Sequence, residues 1–467
     1  MPETIMKTRQ ESDSLGTVEV PANQLWGAQT QRALENFKIG WQIFPKAFIH
    51  HYALVKKACA ISNQTLGKLD AELRDLIVSA CNEIIDGKLD GEFPLPIWQT
   101  GSGTQCNMNL NEVIANRANE LAGQSRGKKT PVHPNDHVNL SQSSNDTFPT
   151  VMHISAVNAL HQHLFPTVID LLTEIANKEV QFTECLKSGR THLMDATPIS
   201  LAQEFSAYHA QITHSQQQIH SLLPALQQLA IGGSAVGTGL NTHPQWASTV
   251  VSNIVALTGL EFTPMPNKFA GLAGHEALCD LHQHLTTLAT SLFKMANDLR
   301  WMASGPRCGL NEIHLPANEP GSSIMPGKVN PTQIEALTMV CARVMGNNTA
   351  LVFANSQGQF QLNVFKPLII YTLLESITLL SDAIISFKVN CLQGITANSK
   401  VLNQYINNSL MLVTALSPHI GYDNAAKVAK YAYEHDCSLQ QAVVDLKLLS
   451  TEQYNQLVDP KSMLEPR

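Results

Sequence analysis

Glu319-Pro-Gly-Ser-Ser-Ile-Met-Pro-Gly-Lys-Val-Asn-Pro-Thr-Gln333 decides how the rest of the chain is read. Two glycines and three prolines exclude a helix or a central strand across it. Long apolar segments flank it, so a loop is tied to a rigid scaffold, the usual setting of a functional loop. Ser322 and Ser323 supply hydroxyls, and Gly321 permits backbone N–H groups to turn inward as an anion nest. Lys328 adds a point charge and Asn330 adds amide donors, with Val329 between them. Pro331 and Thr332 open a helix that runs on through Gln333 and Glu335, and a helix N-terminus favours anions. The composition fits a carboxylate or phosphate held beside a hydroxyl. It fits equally a surface turn with an ordinary helix cap.

Outward from the loop, segments 147–182, 198–229, 243–258, 275–304, 332–353 and 362–390 are apolar at helical spacing. In the first, Val151, Ile154, Val157, Leu160 and Leu164 recur at three- and four-residue steps. One apolar stripe per long helix predicts a bundle. Upstream, residues 15–20 alternate like a strand, 47–86 and 108–122 read as helices, and 95–107 and 123–136 read as loops. From about residue 396 the helices shorten, with breaks at Gly421 and Asp436. A chain of 467 residues predicts two or three domains.

Only 15% of the residues are charged, against roughly 25% in an average protein. So few charges leave large outer faces uncovered and point to surface hidden between subunits. The net charge is −7 and no basic run exceeds Lys128-Lys129, which disfavours a nucleic-acid partner. Nine cysteines lie far apart, without a Cys-x-x-Cys pair, which predicts no disulfide framework, zinc site or iron–sulfur cluster. They suit a reducing cytoplasm. Residues 1–15 lack an apolar signal core, and no uninterrupted apolar run approaches about 18 residues, so no membrane span is expected.

Four further stretches carry donors. Thr100-Gly-Ser-Gly-Thr-Gln-Cys-Asn-Met-Asn109 clusters hydroxyls around Ser102, Gly103 and Thr104, as a carboxylate cradle or as a plain connector. His133-Pro-Asn-Asp136 is followed by Ser141-Gln-Ser-Ser-Asn-Asp146, where Ser143, Ser144 and Asn145 offer neutral donors and also suit a helix cap. Gly189-Arg-Thr-His-Leu-Met-Asp-Ala-Thr-Pro198 places His192 beside Thr191, one histidine among 18. Glu335 is either a helix-terminus charge or the carboxylate that orients His192 and raises its basicity.

Gly-Ser-Ser-Ile-Met-Pro-Gly-Lys-Val-Asn-Pro at 321–331 resembles the signature loop of the fumarase/aspartase superfamily, and the resemblance runs from Thr8-Arg9 beyond the 410s. Gly-Ser-Gly-Thr-Gln at 101–105, Ser-Gln-Ser-Ser-Asn-Asp at 141–146 and Gly-Arg-Thr-His at 189–192 match the fumarase side. Aspartases carry other residues at the positions of Gln105, Ser144, His192 and Gly327. The resemblance therefore points to the class II, iron-independent fumarases. It implies an all-α fold of three domains: a mostly helical N-terminal domain (1–140), a central long-helix bundle (141–395) and a small helical C-terminal domain (396–467). Four copies of the bundle would form a tetrameric core, with each active site drawing on three subunits.

The implied activity is the reversible hydration of fumarate to L-malate, a citric acid cycle step, by anti addition and elimination through a carbanion-type intermediate. No metal or other cofactor is implied. Ser322 would be the base toward carbon, and His192, partnered by Glu335, would serve the oxygen side through a water. Lys328 and Asn330 would bind the carboxylate that gains charge, with Val329 between them a further substrate contact. Ser102, Gly103, Thr104, Ser143, Ser144, Asn145, Thr191 and Ser323 would hold the substrate. His133, Pro134, Asn135 and Asp136 would form a secondary anion site. Two positions depart from the family pattern: Thr130, where fumarases often place a basic residue, and Ala270, where they usually have Glu. An aspartate ammonia-lyase and a non-catalytic protein of this fold stay open as rival readings.

Overall fold

Heptad spacing organises the three longest helices of the chain, whose computed structural model describes residues 7–466. Along Glu276–Met302, residues Leu278, Leu281, Leu285, Leu288, Leu292, Met295 and Leu299 alternate three- and four-residue steps, and all are fully buried. Ile334, Leu337, Cys341 and Val344 on Thr332–Asn355, and Ile370, Leu373, Ile377, Leu380, Ile384 and Phe387 on Lys366–Asn390, repeat the pattern. Such a seam packs knobs into holes, so the expected bundle of long helices is what these sequences build. Among the described residues the strands are confined to two-stranded pairs.

The chain divides into two compact units. One holds the described residues up to Leu164 with Gln218–Thr286 and Arg343–Leu379; the other holds Phe165–Gln217, Thr287–Ala342 and the chain from Leu380 on. In the first unit the predicted alternation near residue 15 becomes a hairpin, Thr8–Asp13 with Gly16–Pro21. Helix Ala28–Asn36 has no side-chain cap of its own. Instead buried Glu112 accepts the N–H groups of Gly27 (2.9 Å), Gln29 (2.8 Å) and Thr30 (3.1 Å). Helices Lys46–Thr65 and Ala71–Ile85 fill the stretch read as helical at 47–86. A buried polar network links the three long helices here: His282 faces Asn348 Oδ1 (3.1 Å) and Ser376 Oγ (2.9 Å), and Asn347 donates to Glu375 (2.7 Å).

The stretch read as one helix at 147–182 is two, Ser144–Ala159 and Phe165–Gln181, joined by a wider π-type turn at Leu160–Leu164. Pro166 lacks an N–H and would crowd the carbonyl one turn back, and the wider turn removes that conflict. In the second unit, Leu186–Thr191 and Met194–Ser200 form an antiparallel hairpin that the sequence did not announce. Beyond residue 399 short helices close over their own small core of Leu412, Leu416, Val428, Leu439 and Val443. Gly421 (φ +81°) and Asp436 (φ +49°) are the breaks between them.

Lys366–Gly394 leaves the expectation about apolar runs standing, since Glu375, Asp382 and Lys388 interrupt it. By length and composition it could cross a membrane, with a mean hydropathy of 1.8 over its most apolar window. That window is 56% buried inside the chain, as a core helix is.

Four enclosed histidines in the first unit make stability depend on pH. Burial pushes the rings of His153, His275 and His282 below their usual range, and burial with the neighbouring His50 takes His51 down to about 4. Unfolding frees each ring to bind a proton that the folded chain refuses. The contribution of these rings is therefore full above about pH 6.5 and falls as pH drops toward 4, by roughly 3 kcal/mol for His51 alone, while the buried Asp146 carboxyl, raised to about 6, acts in the opposite sense. Urea midpoints are expected to fall between pH 7.5 and pH 5, and His51→Asn to flatten the slope. A slope left unchanged by His51→Asn would contradict the enclosed neutral ring of His51.

Candidate active site

Two groups of the predicted residues are built, one in each unit. In the first unit Gly103 adopts a left-handed conformation (φ +75°) at the cap of helix Thr104–Leu121, and a Cβ there would lie 2.2 Å from the ring of Phe148. Only glycine fits on both counts. This is why the helix begins at Thr104, four residues before the predicted start. The turn brings Ser102, Thr104 and Ser144 into one hydroxyl chain, with Oγ–Oγ1 and Oγ1–Oγ distances of 2.8 and 2.9 Å.

Ser143 caps helix Ser144–Ala159 in a reciprocal box with Asp146, whose Oδ1 accepts the Ser143 N–H at 3.0 Å. The other oxygen, Oδ2, accepts the N–H groups of Gly232 (3.0 Å) and Ser234 (2.9 Å). Asn145 donates to the Ala235 carbonyl at 2.8 Å. The glycine-rich stretch 232–241 is thus pinned against Ser143–Asp146. Sequence reasoning passed over it, although Gly232, Gly233, Gly237 and Gly239 were the signal. Burial raises the Asp146 carboxyl to about 6, opposed by its three backbone donors and by Lys56. Burial also takes Lys56 down to about 8, and its ammonium donates to Asn139 Oδ1 (3.0 Å) and Gln142 Oε1 (2.9 Å) just ahead of Ser143.

His133 turns back on its own loop. Its Nδ1 accepts the N–H groups of Asn135 (3.2 Å) and Asp136 (3.1 Å), so within the chain the ring takes the donors that an anion would use. His133, Pro134 and Asn135 line a cavity of about 230 Å3 with Lys129, whose wall also carries Glu11, Asp13 and Glu112.

In the second unit His192 and Leu193 form the tip of the 186–200 hairpin, both left-handed (φ +58° and +62°). That two-residue turn matches strand twist, and histidine tolerates it better than leucine. The hairpin is anchored by buried charge, near its base by Lys187 to Glu204 (3.0 Å) and close to its tip by Arg190 to fully buried Glu312 (2.8 Å). The tip itself is exposed, with Leu193 at 65% and Met194 at 70% beside the imidazole. Among the described residues no hydrogen bond reaches the His192 ring, and Thr191 is exposed beside it.

The 319–333 loop closes on itself. The Gly321 N–H donates to the Lys328 carbonyl (2.7 Å) and Asn330 Nδ2 to the Gly321 carbonyl (2.6 Å). A Cβ on Gly321 would lie 2.3 Å from the Lys328 oxygen, so close approach requires the glycine. The nest expected at Gly321 is therefore displaced. The N–H groups that converge are those of Ile324 (3.3 Å) and Met325 (3.1 Å), and they meet at Ser322 Oγ. Ser323 is exposed next to it, as are Lys328 and Val329. Lys328 and Asn330 line a cavity of about 460 Å3 together with Arg300, Asn311 and His314. Glu335 pairs with Arg300 at 3.2 Å, a partner that sequence reasoning missed; no hydrogen bond joins Glu335 to His192 within the chain.

All nine cysteines are unbridged, six of them buried. Among the described residues no group of three or more His, Cys, Asp or Glu side chains is placed to hold a metal ion.

A family model described as Lyase matches residues 16–346, and one described as Fumarase C C-terminus matches 412–465. "Fumarate hydratase class II" of Campylobacter jejuni is 54% identical over 462 residues, which is 99% of this chain and 100% of the relative. The protein of the same name from Thermosynechococcus vestitus is 57% identical over 457 residues, 98% of each. The solved class II fumarase of Schistosoma mansoni superposes with a TM-score of 0.97 at 44% identity, covering 99% of this chain and all of that one.

Proposed function

The chain belongs to the lyase family of the class II fumarate hydratases, and from that premise we propose how its residues interconvert fumarate and L-malate. It is a hydro-lyase. Dehydration of malate takes a proton from the carbon next to one carboxylate and expels the hydroxyl from the neighbouring carbon. The intermediate is an aci-carboxylate dianion, and holding its charge is the main catalytic task.

The observation that carries this reading is the environment of Ser322. Its Oγ receives two backbone N–H groups, and donors of this kind favour the alkoxide over the hydroxyl. Ser322 is accordingly the base toward carbon. Lys328 and Asn330, on the same loop, meet the carboxylate that gains charge. The imidazole of His192, oriented by Glu335, protonates the leaving hydroxyl through a water. Ser102, Gly103, Thr104, Ser143, Ser144, Asn145, Thr191, Ser323 and Val329 hold the substrate, and loop closure excludes water. His133, Pro134, Asn135 and Asp136 form a secondary anion site that needs the His133 ring to release its two N–H groups. No step calls for a metal.

The enzyme works as a homotetramer in the cytoplasm, with each site assembled from three subunits. Exposed apolar side chains on the long helices support this: Met339 and Phe353 on Thr332–Asn355, Ile385 and Val389 on Lys366–Asn390. So does the exposed His192, whose ring finds no hydrogen-bond partner among the described residues. The division into domains 1–140, 141–395 and 396–467 fits the same plan, and the separate core beyond residue 399 supports its last boundary.

The deciding experiment is an absorbance assay of fumarate formation from L-malate, with EDTA present and L-aspartate run in parallel. Turnover of malate alone is expected. Turnover of aspartate alone would make the chain an ammonia-lyase, and no turnover of either would favour a non-catalytic role.

A further inference from the structure

Arg300 has no part in the chemistry described so far. It stands in the last turn of Glu276–Met302, and its Nη2 donates to Glu335 Oε1 at 3.2 Å, in the first turn of Thr332–Asn355. Among the described residues no hydrogen bond reaches the second oxygen, Oε2. The two side chains keep 42% and 45% of their exposure, so a donor from outside the chain can approach the free oxygen.

We propose that Arg300 is a positioning residue for the hydration reaction: its guanidinium fixes one oxygen of Glu335 and thereby aims the other at the imidazole of the partner subunit's His192. This rests on the role given to Glu335 above. A glutamate on an exposed first turn otherwise samples several rotamers, and the planar, always charged guanidinium selects among them. Small misplacements of a catalytic array cost large factors in rate, whereas an exposed ion pair adds little to stability. Arg300 also lines the cavity that holds Lys328 and Asn330, so the rival assignment is direct contact with a substrate carboxylate. The two assignments differ in which kinetic constant they move.

The test compares Arg300→Met, Arg300→Gln and Arg300→Lys with Glu335→Gln and with the Arg300→Met/Glu335→Gln double variant, each assayed per folded enzyme on L-malate. Positioning predicts that Arg300→Met and Arg300→Gln lower kcat about 10- to 100-fold with KM within about twofold of wild type. Arg300→Lys should recover part of the loss, because the charge returns without the fork. The double variant should be no slower than Glu335→Gln alone. A rise in KM at constant kcat, or additive losses, would overturn the proposal in favour of substrate contact. If Glu335→Gln is slow and the Arg300 variants are not, the positioning role falls while the role of Glu335 stands. If Glu335→Gln keeps full kcat, the role of Glu335 falls and takes this proposal with it.

Discussion

His192→Asn is expected to lower kcat by about 100- to 10,000-fold, the range that general acid–base catalysis supplies. The fold should survive. His192 sits at φ +58° on an exposed hairpin tip, and asparagine is among the few side chains that accept that conformation readily. The hairpin's position is set elsewhere, by Lys187 on Glu204 and Arg190 on Glu312, and the substitution leaves these untouched. Glu335→Gln should cost less, because the imidazole remains and only its carboxylate is lost. If the two act on one proton transfer, the double variant should be little slower than His192→Asn. Melting temperatures measured alongside separate this from a helix-terminus charge, worth up to about 1 kcal/mol of stability and nothing in rate. Additive losses, or an intact rate with a lowered melting point, would dissolve the pair.

The long helices were legible because their burial follows spacing that a sequence displays: Leu278 to Leu299 can be counted off in threes and fours. The signature loop was legible as a loop for the same local reason, its glycines and prolines. The hairpin that carries His192 was not. Its turn is His-Leu rather than Asn-Gly, and strands such as Met194–Ser200 include a proline and little alternation. Its stability comes from buried charge reaching Glu312, over a hundred residues away in sequence, which no local pattern encodes. Gly321 shows a subtler limit. Its necessity was read correctly as a backbone requirement, but the cause is the approach of the Lys328 carbonyl and not an inward-turned N–H. The partner of Glu335 was likewise out of reach, since Arg300 lies 35 residues upstream on another helix.

Ser322→Ala is expected to be as damaging as His192→Asn, because alanine leaves the N–H groups of Ile324 and Met325 without the oxygen on which they converge. Its more telling use is in combination. Ser322 and His192 belong to the same compact unit of one chain, yet among the described residues no hydrogen bond joins them there. If a working site takes Ser322 from one subunit and His192 from another, two nearly inactive variants can repair each other. Co-expressed in equal amounts and assembled at random, half the subunits offer an intact Ser322 and half an intact His192. About one site in four then receives both, so about a quarter of wild-type activity should return. Light scattering on the same sample should give four copies of the 51.1 kDa chain. A site built within one chain predicts the opposite result. Every chain would then carry one lesion, and no mixture would recover activity at any ratio. Recovery that tracks the product of the two intact fractions, as the ratio of the variants is varied, is the signature of a site shared between subunits. Absence of recovery in mixed tetramers would remove the shared site, whatever the single variants show.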